Sequence, residues 1–226
     1  MLKAEGKSRK ETSVNKATAG ARCGDGNRSE RMSWDAIIRH YRKRPQTGRE
    51  FDRFSSRCNM PTLEVAIETA ALSKDENGHI YSHQQRPWNR SPGDFRKAAK
   101  ALVHAVKRIE ACRSFDALLT VVEAVLKETF GESSNKELFV YDVAFRIGAW
   151  RDVLPERVYL HRGTREGPKA LGIETKGRRA VPVAELPPQL HPLPPWQLED
   201  ILCIYRKRFP KQPDARCPHR RFAVRT

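Results

Sequence analysis

The sequence predicts a mainly α, single-domain protein flanked by basic arms. Three observations carry that prediction. Apolar residues recur at helical spacing in six separate stretches, caps or breakers flank most of them, and alternating strand-like runs are scarce. A length of 226 residues suffices for one sizeable domain plus tails. The boundaries predicted are a disordered basic arm over 1–31, a helical domain over 32–209 and a disordered basic tail over 210–226.

Each element has a local reason. Ser33 can cap a first helix from Trp34 to about Lys43, with Trp34, Ile37, Ile38 and Tyr41 on its apolar face. Pro45 and Gly48 end it, and a basic loop follows. Thr62 opens a second helix that buries Leu63, Ala66, Ile67, Ala70 and Ala71. Asn77-Gly78 signals a turn. Ser91-Pro92 starts a helix running to about Cys112, with Phe95, Ala98, Leu102, Ala105, Val106 and Ile109 inward. Ser114 caps the next, which stops at Phe130-Gly131, and a polar turn, Glu132–Lys136, leads into the segment of greatest interest.

That segment, Leu138–Gly172, is the densest in chemically useful side chains. Val140, Ala144, Ile147 and Gly148 form one buried stripe, widened by Phe139, Val143 and Trp150, so its helix is expected to be central. Asp142 and Arg146, spaced i, i+4, share an edge and can pair. A short apolar run, Val158-Tyr159-Leu160, precedes His161. Thr164 is placed to cap a short helix ending at Leu171, with Gly172 as its terminating glycine. The chain then turns proline-rich over 181–195 and is expected to wrap the surface without a hairpin partner. Pro194-Pro195 open a last helix with Leu198, Ile201, Leu202 and Tyr205 inward and Glu199-Asp200 near its start, as the helix dipole favours.

Charge narrows the partners. The chain has 43 Lys and Arg against 27 Asp and Glu, a formal net charge of +16, which favours an anionic partner. Residues 1–31 carry +4 of that excess and residues 206–226 carry +7. Hydrophobic content of 38% includes no run long enough to span a membrane, and no apolar stretch follows the basic N-terminus, so an intracellular setting, cytoplasmic or nuclear/nucleoid, is expected. Five scattered cysteines fit a reducing compartment rather than a disulfide framework. Cys217-Pro-His219 with His191 and Cys203 lacks a familiar zinc spacing, and there is no nucleotide-binding glycine loop or paired-carboxylate metal motif. No metal or cofactor is implied.

Candidate contacts fall in two places. Arg162, Arg165 and Lys169 make a basic face at a helix start, suited to phosphate oxygens, with Lys136, Arg146 and Tyr159 nearby in sequence. The loop His79–Trp88, with His79, His83, Arg86 and Trp88, could stack on and hydrogen-bond a base. A catalytic alternative pairs Asp142 with His161, the carboxylate orienting the imidazole as a general base.

The apolar helix before Gly131, the hairpin Gly131–Leu138 and the helix Phe139–Gly148 resemble the helix-hairpin-helix element of the endonuclease III-like DNA glycosylase superfamily. That resemblance implies a DNA phosphate held by hairpin backbone N–H groups, with Lys136 as the counterpart of the hairpin lysine. Tyr159 stands where the family carries its catalytic aspartate, the hairpin has one glycine, and the four-cysteine iron–sulfur loop is missing. The expectation is therefore a nucleic-acid-binding helical protein, DNA before RNA, contacting the phosphate backbone. A glycosylase- or nuclease-like enzyme is the alternative, and a protein-interaction module using the Val181–Leu193 strap and the last helix is a third reading.

Overall fold

The computed structural model describes residues 30–57, 59–75, 77–81, 92–131 and 137–210. Lys136, His83, Arg86 and Trp88 lie outside the described residues, as do Cys23, Cys58, Cys217 and nearly all of both basic flanks. The described chain is mainly helical: α1 (Trp34–Arg42), α2 (Arg49–Ser55), α3 (Leu63–Leu72), α4 (Pro92–His104), α5 (Val106–Glu110), α6 (Phe115–Phe130), α7 (Glu137–Arg151), α8 (Glu166–Ala170) and α9 (Pro195–Tyr205). Two short strands, β1 (Val158–Tyr159) and β2 (Ala180–Val181), complete it. No helix among the described residues is long and apolar enough to cross a membrane.

The caps behave as their chemistry requires. Ser33, Thr62 and Ser114 accept backbone N–H groups from Ala36, Val65 and Ala117, at 3.2, 3.4 and 3.3 Å. Gly131 closes α6 with a left-handed φ of 73°. Asp75 builds the turn at Asn77-Gly78 by accepting from the N–H groups of Asn77 and His79, both at 2.9 Å.

Helix α7 is buried around its whole circumference from Phe139 to Ala149, apart from a half-buried Asp142. A helix buried on every side belongs in the middle of a core. Helices α2, α3 and α6 pack on it, and α4 packs on α3 and α6. Gly148 is needed there, because a Cβ would come within 2.4 Å of the Val153 carbonyl. A second apolar cluster joins Ile37 and Tyr41 of α1, Val158, Leu160, Leu171, Val181, Leu186, Leu190, Leu193 and the inner face of α9. Trp196 of α9 stacks on Phe51 at 5.2 Å and lies 5.7 Å from Phe145, so α9, whose inner face belongs to the second cluster, also reaches the first.

Four expectations need correction. The basic loop after α1 contains α2, seven residues whose helical period is too short to register among Arg44, Arg49, Arg53 and Arg57. The single helix expected over 92–112 breaks at Ala105, whose N–H is shared between Ala101 and Leu102 carbonyls, with no Gly or Pro to signal it. Ala180-Val181 does have a partner: it pairs antiparallel with β1, Val158 opposite Val181 and Tyr159 opposite Ala180. The strap beyond is not a free apolar surface. It makes two short 3₁₀ turns, over 183–185 and 188–190, and drives Leu186, Leu190 and Leu193 into the second cluster.

Candidate nucleic-acid interface

The end of α6, the start of α7, strand β1 and the chain leading into β2 enclose a cleft of about 680 Å³. Tyr141, Tyr159 and His161 lie at its base, and Lys127, Arg165, Arg178 and Arg179 surround it together with Glu123 and Glu137. Glu137 and Val140 belong to the first turn of α7, so the positive end of that 15-residue helix opens on the cleft. The arginines are held in place. Arg165 donates to the Arg178 carbonyl at 2.9 Å and to Glu137 at 3.1 Å. Arg178 forms a two-pronged pair with Glu185 at 2.7 and 2.6 Å, and Arg179 donates to Thr120 at 3.0 Å and Glu123 at 2.8 Å. All of these are partly exposed pairs, which a doubly hydrogen-bonding phosphate can displace at small cost.

Tyr159 is buried, and its hydroxyl donates to Asp116, which Arg157 also grips. Burial and the Asp116 carboxylate both push the phenol pKa up, so the hydroxyl stays a donor. Burial opposes ionisation of Asp116 in turn, but the hydrogen bonds from Tyr159 and Arg157 outweigh it and hold the carboxyl below its usual range.

Behind the cleft floor sits a buried polar knot. His161 Nε2 meets Glu199 Oε1, Thr164 Oγ1 donates to the same carboxylate oxygen at 2.5 Å, and Thr164 Oγ1 lies 2.6 Å from Nε2. The Gly163 N–H points at Nδ1 from 3.1 Å, which places the ring proton of a neutral imidazole on Nε2. Burial lowers the proton affinity of His161, and the Glu199 carboxylate more than restores it, so the net direction is upward. Thr164 is thereby taken from its expected capping role; α8 begins without a side-chain cap. Cys203, one turn beyond Glu199 on α9, brings its sulfur into the same group: donor atoms of His161, Glu199 and Cys203 all lie within 4.8 Å of one another.

The expected site residues separate. Tyr159, His161 and Arg165 converge on the cleft. Arg162 and Lys169 are exposed outside its lining, and Lys169 pairs with Glu166 at 3.0 Å. Arg146 is no surface contact: it is fully buried, donating to Glu50 at 2.7 Å, the Ser73 hydroxyl at 3.0 Å and the Ala70 carbonyl at 3.2 Å. A guanidinium enclosed by three helices cannot reach a phosphate. Asp142 and His161 do not form the expected hydrogen-bonded pair; the carboxylate on the imidazole is Glu199, and Asp142 acts on it through charge. Both ring nitrogens are engaged inside the protein, which holds the imidazole rather than offering it as a base. His79 is exposed beside Asp75 at 3.8 Å.

Sequence reasoning missed Arg178, Arg179 and Glu199 as site residues, and considered Cys203 only with Cys217, His219 and His191. For the arginines there was no local signal, since a strand pair of two residues each brings them to the cleft. Glu199 did have one: it interrupts the apolar face made by Leu198, Ile201 and Leu202, where a carboxylate must find a partner.

No family model matches the chain, and no curated protein or solved structure does either.

Proposed function

We infer that the protein binds nucleic acid, DNA in preference to RNA, through the phosphate backbone at this cleft. The observation that carries the reading is the convergence of Lys127, Arg165, Arg178 and Arg179 with the start of α7 on one concave surface. Planar guanidiniums already set in fork geometry lose little entropy on gripping a phosphate, and a helix start adds backbone donors and a favourable dipole. Gly131 and Glu137, which flank the segment that the helix-hairpin-helix resemblance expects to meet a phosphate, both line the cleft and support the reading. A net charge of +16 supplies longer-range attraction that does not depend on base sequence.

Fluorescence anisotropy of the full chain on labelled duplex DNA, single-stranded DNA and RNA across a salt series tests it. The Arg165→Ala/Arg179→Ala double variant, checked for intact helicity by circular dichroism, is expected to weaken binding to all sequences alike. It is also expected to reduce the salt slope by about 2, one per lost phosphate contact. Binding with an unchanged slope in a folded double variant would move the interface off the cleft. No binding by the parent chain would remove the reading.

A further inference from the structure

The knot behind the cleft has more donors than a structural hydrogen bond needs. It offers an imidazole, a carboxylate and a thiol, from two elements whose positions are set independently. Glu199 and Cys203 stand one turn apart on α9, the i, i+4 spacing that puts two side chains on one helix face. His161 arrives from the turn after β1, and Thr164 Oγ1 adds a fourth donor atom. The three ligand atoms lie within 4.8 Å of one another. Tetrahedral coordination at bond lengths of roughly 2.0–2.3 Å needs separations of about 3.5 Å, so an entering ion must part the hydrogen-bonded Nε2 and Glu199 oxygen by about 1 Å and draw the sulfur to the same spacing.

Gly163 makes the approach possible. A Cβ at that position would sit 3.0 Å from both the Cys203 sulfur and His161 Cε1, so any side chain would intrude between thiol and ring. The surroundings also favour a cation. Besides Glu199, the carboxylates of Asp142 and Asp200 lie close enough to act by charge on the groups buried here, among them Tyr141 and Cys203. Cys203 is half-buried, so a small ion has a way in.

We propose that His161 Nε2, Glu199 and the Cys203 thiolate form a three-ligand seat for a zinc-class divalent cation, with Thr164 or water in the fourth position. Mixed nitrogen, oxygen and sulfur donors suit this borderline-soft ion better than the hard magnesium or calcium ions. Binding releases the thiol proton. It also moves the ring proton from Nε2 to Nδ1, and the Gly163 N–H must then turn away.

Cobalt(II) titration of the full chain, followed by absorption, tests the seat. The expected result is one equivalent bound, with a sulfur-to-cobalt charge-transfer band in the near ultraviolet and intense tetrahedral bands in the visible, all reversed by zinc. Cys203→Ser, a conservative change at a half-buried position, should abolish the charge-transfer band. It should also weaken binding by more than the roughly tenfold to hundredfold typical of outer-shell partners. A chain in which Cys23, Cys58, Cys112 and Cys217 are all serine should keep the band. A band that survives Cys203→Ser, that disappears in the chain retaining Cys203 alone, or that never forms in the parent overturns the proposal.

Discussion

Arg146 shows what a single residue can conceal. Its i, i+4 spacing from Asp142 reads as a pair on a helix edge, yet it is among the largest wholly buried side chains. Its role is to connect α7 to α2 through Glu50 and to the end of α3 through Ser73 and the Ala70 carbonyl, while the guanidinium lies 4.7 Å from the centre of the Tyr81 ring. Removing one partner of a buried ion pair leaves the other unpaired. Arg146→Ala should therefore cost about 3 kcal/mol, the lower end of the usual range because Glu50 keeps some access to water. Arg146→Lys should recover little of it, since an ammonium cannot span Glu50, Ser73 and Ala70 together. Urea denaturation of the three chains measures both, and a loss under about 1 kcal/mol for the alanine variant would show that the charge is better solvated than its burial implies.

At the scale of elements, the tie between α6 and β1 is electrostatic and therefore titrates. Asp116, in the first turn of α6, accepts from Tyr159 of β1 and from Arg157 just before it. Burial alone would raise its pKa, but those two hydrogen bonds outweigh it and the folded value falls below the unfolded one of about 3.9. A depressed carboxyl contributes stability that is present above the unfolded pKa and lost as pH falls through the folded one. Thermal unfolding from pH 6 to pH 2 should thus show a steeper acid-side loss in the parent than in Asp116→Asn. The difference at pH 6 should be small, up to about 1 kcal/mol, because the Arg157 pair is half exposed. Parallel pH profiles would mean that the tie carries no charge-dependent stability.

On the scale of the whole molecule, two apolar clusters meet along α7, α9 and β1, with Trp196 and the His161 knot at their junction. The strap over 182–194 belongs to the second cluster. Leu190, wholly buried although it sits in a proline-rich run, is the residue to test. Leu190→Ala should cost about 2–5 kcal/mol, the range for emptying a leucine site in a core. Because the two clusters share a junction, far- and near-ultraviolet circular dichroism should still report one coincident transition. A loss below about 1 kcal/mol would return the strap to the surface, and two separated transitions would divide the molecule into independent units.

The sequence by itself determined the mainly helical class, the capped starts at Ser33, Thr62 and Ser114, the glycine ends at Gly131 and Gly172, and the central place of α7. Each of these rests on residues within a few positions of one another, where backbone hydrogen bonding and helical period act directly. Periodicity also marked Leu198, Ile201 and Leu202 as inward, but it says nothing of what a face packs against. Only the tertiary structure decided that Arg146 is internal, that Glu199 rather than Asp142 answers His161, and that Arg178 and Arg179 share a cleft with Arg165. Those contacts join residues far apart in the chain. They depend on the angle at which packed helices and a two-residue strand pair bring side chains together, which no local pattern encodes.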